Sequence, residues 1–239
     1  MKKNIGFDDI AGDLFSLNIR GLKSICVLWV SPQDYFGAAS DDDWNGRYTP
    51  SVRLWLSLVA IASLLQFLWI GTGTPLVEAF AQGFRDSGAA LPAGVTYEEV
   101  GRATAHWTFA AVPIVQFLVF LSIFPLFAFW GRETSFGLRV RYGFAMMIPG
   151  ASLMVFLLPA FALVPSGQVN QFGVLIGILA FLIDAITVFR SRLAPSLLSR
   201  IIRAIALAGI AVLLNVTIQI ATTIAGVIWI SMSYGLMAG

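Results

Sequence analysis

The most constraining feature of this chain is its last third. An apolar stretch over residues 172–189 is followed by an arginine-bearing turn at 190–203 and a longer apolar stretch over 204–230. Runs of about 18 or more apolar residues are long enough for a helix to cross the hydrocarbon of a bilayer. Two such runs, joined by a short basic turn, require two antiparallel helices in an apolar medium. Three further stretches of the same kind lie upstream, at 54–71, 108–130 and 142–164. The expected fold is therefore an all-α, polytopic transmembrane bundle of five spans, residues 51–239, preceded by a 1–50 segment.

Composition excludes the alternatives. Of 239 residues, 58% are hydrophobic and only 12% charged, about half the roughly 25% charged share of soluble domains. A single cysteine, Cys26, rules out an internal disulfide. No cleaved leader is expected, since Lys2 and Lys3 run into Asp8, Asp9 and Asp13 rather than an apolar stretch. The acceptor-like Asn215-Val216-Thr217 falls inside a span. Pro149 and Pro159 are expected to kink the third span.

Orientation follows from lysine and arginine. Lys2, Lys3, Arg20, Lys23, Arg47 and Arg53 precede the first span. Arg132, Arg139 and Arg141 lie between spans two and three, and Arg190, Arg192, Arg200 and Arg203 between spans four and five. Only Arg85 and Arg102 lie on the other side. Basic loops stay on the side of synthesis, so the N-terminus is expected in the cytoplasm of a bacterium and the C-terminus outside its inner membrane. Within 1–50, the apolar residues Ile10, Leu14, Leu17, Ile25 and Leu28 are helically spaced, with Arg20 and Lys23 off that line. The pattern fits an amphipathic helix in the inner interface, or one packed beneath the bundle. Arg20, Lys23, Arg190, Arg192, Arg200 and Arg203 are candidate contacts to lipid headgroups.

Polar groups inside spans are the default place to look for function. Asp184, near the inner end of span four, suits either an Asp–Arg latch joining spans four and five or a proton or cation relay; no second intramembrane acid is present to pass a proton on. Asn215, Gln219, Thr222 and Gly226 follow at four-, three- and four-residue steps and share one face of span five. That face can be glue between helices or the lining of a polar cleft, with Gln66 and Gln116 as partners in either case. Trp69, Trp107, Trp130 and Trp229 fall at span ends, where indoles anchor at the headgroup zone.

Catalytic patterns are absent: there is no HExxH, GxSxG or P-loop. Glu99, Arg102 and His106 have helical spacing before span two, and read as a solvated face. No catalytic residue, metal, cofactor or nucleic-acid partner is expected. The expected role is that of a membrane scaffold or accessory subunit contacting lipids and a membrane protein or its own copies. The alternative is a small-solute or lipid transporter using the polar face of span five.

Gly46-Arg47-Tyr48-Thr49-Pro50, continuing through Arg53 and Leu54, resembles the lead-in to the first span of an uncharacterised bacterial inner-membrane family, a domain of unknown function. Trp29, Pro32 and Tyr35 upstream, and Pro125-Leu126-Phe127-Ala128 with Arg132, are similar to that family as well. Members commonly carry histidines around the third span; here Arg139, Arg141 and Tyr142 stand there, so no metal role carries over. The five-span layout with a short external C-terminus also resembles Yip1-type membrane proteins, which implies membrane organisation or trafficking rather than catalysis.

Overall fold

The computed structural model describes residues 19–41, 44–70, 75–88, 90–123, 135–194 and 196–235, and these contain helices and turns with no strand. The apolar positions Ile10, Leu14 and Leu17, the acids Asp42 and Asp43, and the 125–132 segment lie outside the described residues. In chain order the helices are α1 (Ile19–Val30), α2 (Pro32–Ala38), α3 (Trp44–Arg47), α4 (Ser51–Ile70), α5 (Pro75–Asp86), α6 (Tyr97–Ile123), α7 (Phe136–Leu157), α8 (Val169–Arg190) and α9 (Leu197–Ser233).

Four segments are long and apolar enough to cross a membrane: Ser51–Leu68, Phe136–Phe161, Gln171–Arg190 and Leu197–Ser233. Among the described residues the apolar part of α6, 108–123, is shorter than the ~18 residues a crossing needs. The long helices pack as a ring, in the order α4, α7, α8, α9, α6 and back to α4, with α5 lying against α6.

Helix starts precede the expected spans, most of all in α6, which begins at Tyr97 rather than at residue 108. α7 starts at Phe136 rather than at residue 142, capped by Ser135, whose Oγ accepts the Leu138 N–H at 3.3 Å. α9 starts at Leu197 rather than at residue 204, capped by Ser196, whose Oγ accepts the Ser199 N–H at 3.2 Å. Hydropathy marks where lipid begins, whereas a helix begins at its cap. Arg139, Arg141, Arg200 and Arg203 therefore sit on helical turns instead of in loops. Pro149 lies inside α7 as expected, but Pro159 falls just beyond it, in a tighter turn over Leu158–Leu163.

The main core is at the end of the bundle that carries α1 to α3, where the described basic residues other than Arg85 and Arg102 also gather. α1 turns Ile25 and Leu28 inward, and α2 opens with Pro32, whose missing N–H costs nothing in a first helical turn. Fully buried Tyr35 donates its hydroxyl to the Thr49 carbonyl at 2.7 Å and packs edge-on to Trp44. Burial first, and then neighbouring Tyr48, push the Tyr35 phenol far above its ordinary pKa, so it stays a donor. Arg141 joins this segment to α7: its guanidinium donates to the Ala39 carbonyl at 3.0 Å and lies 4.6 Å over the Trp44 ring. Ser51 at the start of α4 donates to the Arg141 carbonyl at 2.8 Å.

A second, smaller core at the opposite end joins Leu76 and Val77 of α5, Ala105 of α6 and Val169 of α8. There α6 and α9 meet through Gly226. A Cβ on Gly226 would lie 2.3 Å from the Trp107 ring, so only glycine admits the indole. A Cβ on Gly209, on the same helix, would meet nothing within 4 Å. Gly226→Ala is expected to lower stability by about 1–3 kcal/mol through overpacking, while Gly209→Ala is neutral or slightly stabilising. Thermal unfolding in detergent distinguishes the two; equal midpoints would remove the argument for a close α6–α9 contact.

Candidate functional site

Most buried polar groups of the bundle can be followed to a partner; among the described residues Trp44 Nε1 and Gln66 Oε1 are the exceptions. Along α8, Ile176, Ala180, Asp184 and Val188 repeat at four-residue spacing on the inward face. Asp184 Oδ1 accepts the Gly150 N–H of α7 at 2.8 Å. Two local features of α7 make this possible. Pro149 has no N–H and interrupts the ladder, and Gly150 lets α8 come close. A Cβ there would sit 2.7 Å from both carboxylate oxygens and 2.9 Å from the Ala180 carbonyl.

The same break engages α1. Ser152 donates its hydroxyl to the Pro149 carbonyl at 2.8 Å and accepts the Trp29 indole N–H at 2.9 Å. Arg190 donates to the Trp29 carbonyl at 2.8 Å and to the Val30 carbonyl, capping the end of α1. Asp184, Gly150, Ser152, Trp29 and Arg190 therefore tie α1, α7 and α8 into one unit.

The expected Asp–Arg latch between spans four and five is not formed. Among the described residues the ion pairs are Asp41–Arg47, Glu78–Arg85 and Glu98–Arg102. Asp184 meets a backbone N–H on α7 instead. Six residues separate it from Arg190, about 9 Å of rise and roughly two-thirds of a turn out of phase, and the C-terminal carbonyls of α1 are what Arg190 meets. Arg200 is likewise turned to backbone, its Nε donating to the Ala194 carbonyl at 2.8 Å. Arg192 is exposed in the α8–α9 turn with φ 56°, a left-handed conformation uncommon for arginine.

The polar face of α9 is partly filled. The Trp107 indole N–H donates to the Thr222 carbonyl at 3.3 Å, and its ring stacks on Trp229 with centroids 6.3 Å apart. Trp107 thus turns into the α6–α9 contact. The hydroxyls of Thr217 and Thr222 donate to carbonyls one turn back, at 2.8 Å each. Asn215 is half-buried. The side chains of Gln219, Gln116 and Trp69, and all of Trp130, lie outside the described residues. Gln66 is buried, and its Oε1 meets no donor among the described residues, so the expected pairing with the Asn215 face is not made there.

Glu99, Arg102 and His106 are dispersed. Glu99 closes a capping box at the start of α6: its carboxylate accepts the Thr96 N–H at 2.8 Å and the Thr96 hydroxyl at 3.0 Å, and its own N–H donates to the Thr96 Oγ1 at 3.2 Å. The Thr96 N–H, then its hydroxyl, hold the Glu99 carboxyl below the usual glutamate range. Arg102 pairs with Glu98 at 2.8 Å, and His106 lies 5.9 Å from the Phe67 ring. No group of three potential metal ligands occurs among the described residues. Of the six basic candidates, Arg20 and Lys23 are brought together beside Arg47, whereas Arg190 ends α8 against α1, Arg192 is in the α8–α9 turn, and Arg200 and Arg203 are on the first turns of α9.

Sequence reading missed Gly150, Ser152, Trp29 and Arg141 as members of these arrangements. The signal for Gly150 was present, a glycine following a mid-span proline, but its partner lies 34 residues on. Compared with family models, with curated proteins and with solved structures, the chain matches none.

Asp184→Asn keeps an oxygen acceptor for the Gly150 N–H and is expected to hold stability near that of the parent, whereas Asp184→Leu strands that donor at a cost of about 1–3 kcal/mol. Thermal melts of the two variants decide, and equal melts would show that the bond does not hold α7 to α8. At the α6 cap, a lowered carboxyl pKa means stability present above the ordinary glutamate value and lost as pH falls through the folded value. Amide exchange at residues 97–100 is therefore expected to accelerate below about pH 4, an acceleration that Glu99→Gln abolishes.

Proposed function

We propose that this chain is an integral scaffold or accessory subunit of a bacterial cytoplasmic membrane, acting through lipid and protein contacts without catalysis of its own. In this reading α6, apolar from Thr108 onward, is the remaining crossing and completes five. The N-terminus lies in the cytoplasm and the C-terminus outside. The gathering of basic residues at the end bearing α1 to α3 supports that orientation.

One observation carries the proposal: several polar groups within the spans are engaged by the protein itself, Gln66 Oε1 being a buried exception among the described residues. Asp184 is bonded to Gly150, Trp107 to Thr222, Ser152 to Trp29 and Pro149, and Thr217 and Thr222 to their own helix. Groups so occupied have little capacity left for a substrate. Meanwhile α8 and α9 present long apolar faces outward, through Val174, Leu175, Ile178 and Leu182 and through Leu213, Ile220, Ile224 and Ile228. Such surfaces suit lipid or another membrane helix. The resemblance of the five-span layout to Yip1-type proteins fits a role in membrane organisation. A solute or lipid path along the Asn215 face is disfavoured by the Trp107 ring seated on Gly226.

Solubilised in mild detergent with its native lipids, the protein is expected to run as a defined homo-oligomer or in stoichiometric complex with one membrane protein. A monomer under every lipid condition would overturn the proposal. Asn215→Leu combined with Gln219→Leu is expected to disturb assembly; loss of a solute flux with assembly intact would favour the transporter instead.

A further inference from the structure

Oxygens crowd the face of Gly150 beyond what the hydrogen bonds described above account for. A Cβ on Gly150 would lie 2.7 Å from each Asp184 carboxyl oxygen and 2.9 Å from the Ala180 carbonyl, so three acceptors converge where a side chain would stand. An ionised carboxylate accepts at about four positions. Among the described residues Asp184 receives one donor, the Gly150 N–H on Oδ1. Nearby hydroxyls are directed elsewhere. Thr187, on the next turn of α8, donates to the Ile183 carbonyl at 2.8 Å, and Ser152 donates to the Pro149 carbonyl.

Cations do not make up the deficit. The helices packed against α8 are α7, α9, α2 and α5. On α7, Arg141 reaches the Ala39 carbonyl and the Trp44 ring, and Tyr142 shares a hydrogen bond with Ser40. Arg139 precedes Gly150 by eleven residues, about 16 Å along the helix. On α8 itself Arg190 caps α1, and on α9 Arg200 turns to the Ala194 carbonyl. Neither Arg200 nor Arg203 is ion-paired with Asp184. From α2 come an exposed acid, Asp34, and Tyr35, whose hydroxyl is bonded to Thr49. From α5, at the opposite end of the bundle, come Asp86 and the paired Glu78 and Arg85. A carboxylate in hydrocarbon with one donor and no cation is costly, whereas a neutral acid is not.

We propose that Asp184 is an intramembrane proton-binding site: Oδ1 accepts from Gly150, the second oxygen carries a proton directed to the Ala180 carbonyl, and α7 fits against α8 only around this neutral acid. The proposal rests on the membrane reading above, since hydrocarbon is what makes the bare charge costly. The proton removes that charge and also supplies the donor that three converging acceptors lack. Its release would set a negative charge against the Ala180 carbonyl, and α7 and α8 would part. Proton uptake at Asp184 thereby governs how the two helices fit.

The test uses the full chain, reconstituted in lipid nanodiscs at neutral pH, and infrared spectroscopy of the carboxyl C=O stretch, which separates acid from carboxylate. The parent is expected to show an acid band, and Asp184→Asn to lose it. No acid band in the parent, or the same band in Asp184→Asn, overturns the site. Should that variant fail to fold, the parent grown with aspartate labelled with ¹³C at the side-chain carboxyl carries the test. Asp184 is the one aspartate within an apolar stretch, so an isotope-shifted acid band is expected and an unshifted one overturns the site. Replacement of the acid band by a carboxylate band on adding sodium or potassium at the same pH overturns the proton in favour of a metal cation. At a pH high enough to remove the band, amide exchange at Gly150 is expected to be faster in the parent than in Asp184→Asn, whose amide supplies a permanent donor. Equal rates, or a band that no pH removes, overturn control of the helix fit by the proton. Release of the parent from membranes by alkaline carbonate overturns the membrane reading itself, whereas carbonate-resistant protein without an acid band overturns the proton site alone.

Discussion

In hydrocarbon, a backbone N–H or carbonyl freed from its helix has no water to turn to, and each such group left unpaired costs several kcal/mol. Pro149, in the middle of α7, has no N–H for the Ala145 carbonyl, and the polar contacts that join α7 to its neighbours lie beside it. Gly150 gives its N–H to Asp184 on α8, and the Pro149 carbonyl takes the Ser152 hydroxyl, which in turn accepts from Trp29 on α1. Polar contacts beside one proline thereby join three elements that are distant in sequence. An intramembrane carboxylate in such a place is accounted for by backbone satisfaction before any transport role is invoked.

The segment over α1 to α3 belongs to the bundle rather than trailing from it. Tyr35, Trp44 and Tyr48 form an aromatic cluster beneath which Arg141 reaches from α7, and Thr49 is held on both sides, its carbonyl by Tyr35 and its N–H by Ser24. The Gly46-to-Pro50 motif is thus where the segment, the first turn of α4 and the first turns of α7 converge. Arg190 adds a fourth connection by capping α1. An amphipathic helix packed this firmly keeps its basic side, with Arg20 and Lys23, outward.

At the opposite end the construction is different. Close approach there depends on glycine: Gly226 admits Trp107, and Gly101 admits α5, since a Cβ on it would lie 2.7 Å from the Val77 carbonyl. Small residues at helix contacts are the usual means of packing in lipid, where apolar area alone gives no advantage to helix over acyl chain. The 37 residues of α9 make a helix about 55 Å long against a hydrocarbon core of about 30 Å. Its first turns, bearing Arg200 and Arg203, therefore extend past the apolar slab or tilt within it.

By itself, the amino-acid sequence determined that the chain is helical, that at least four segments are long and apolar enough to cross a membrane, that its cations lie at one end, and that Asp184 and Pro149 stand out. These properties are local sums of hydropathy, charge and length, and they hold whatever neighbours a residue acquires. Helix starts at Phe136 and Leu197 were legible too, in Ser135 and Ser196, but hydropathy alone passed over them. Only the tertiary structure decided that Asp184 meets a glycine N–H rather than an arginine, that Trp107 faces α9 rather than lipid, and that Arg20, Lys23 and Arg47 are brought together. Partner choice depends on which helices adjoin and at what depth and rotation, and no one-dimensional pattern contains those three quantities.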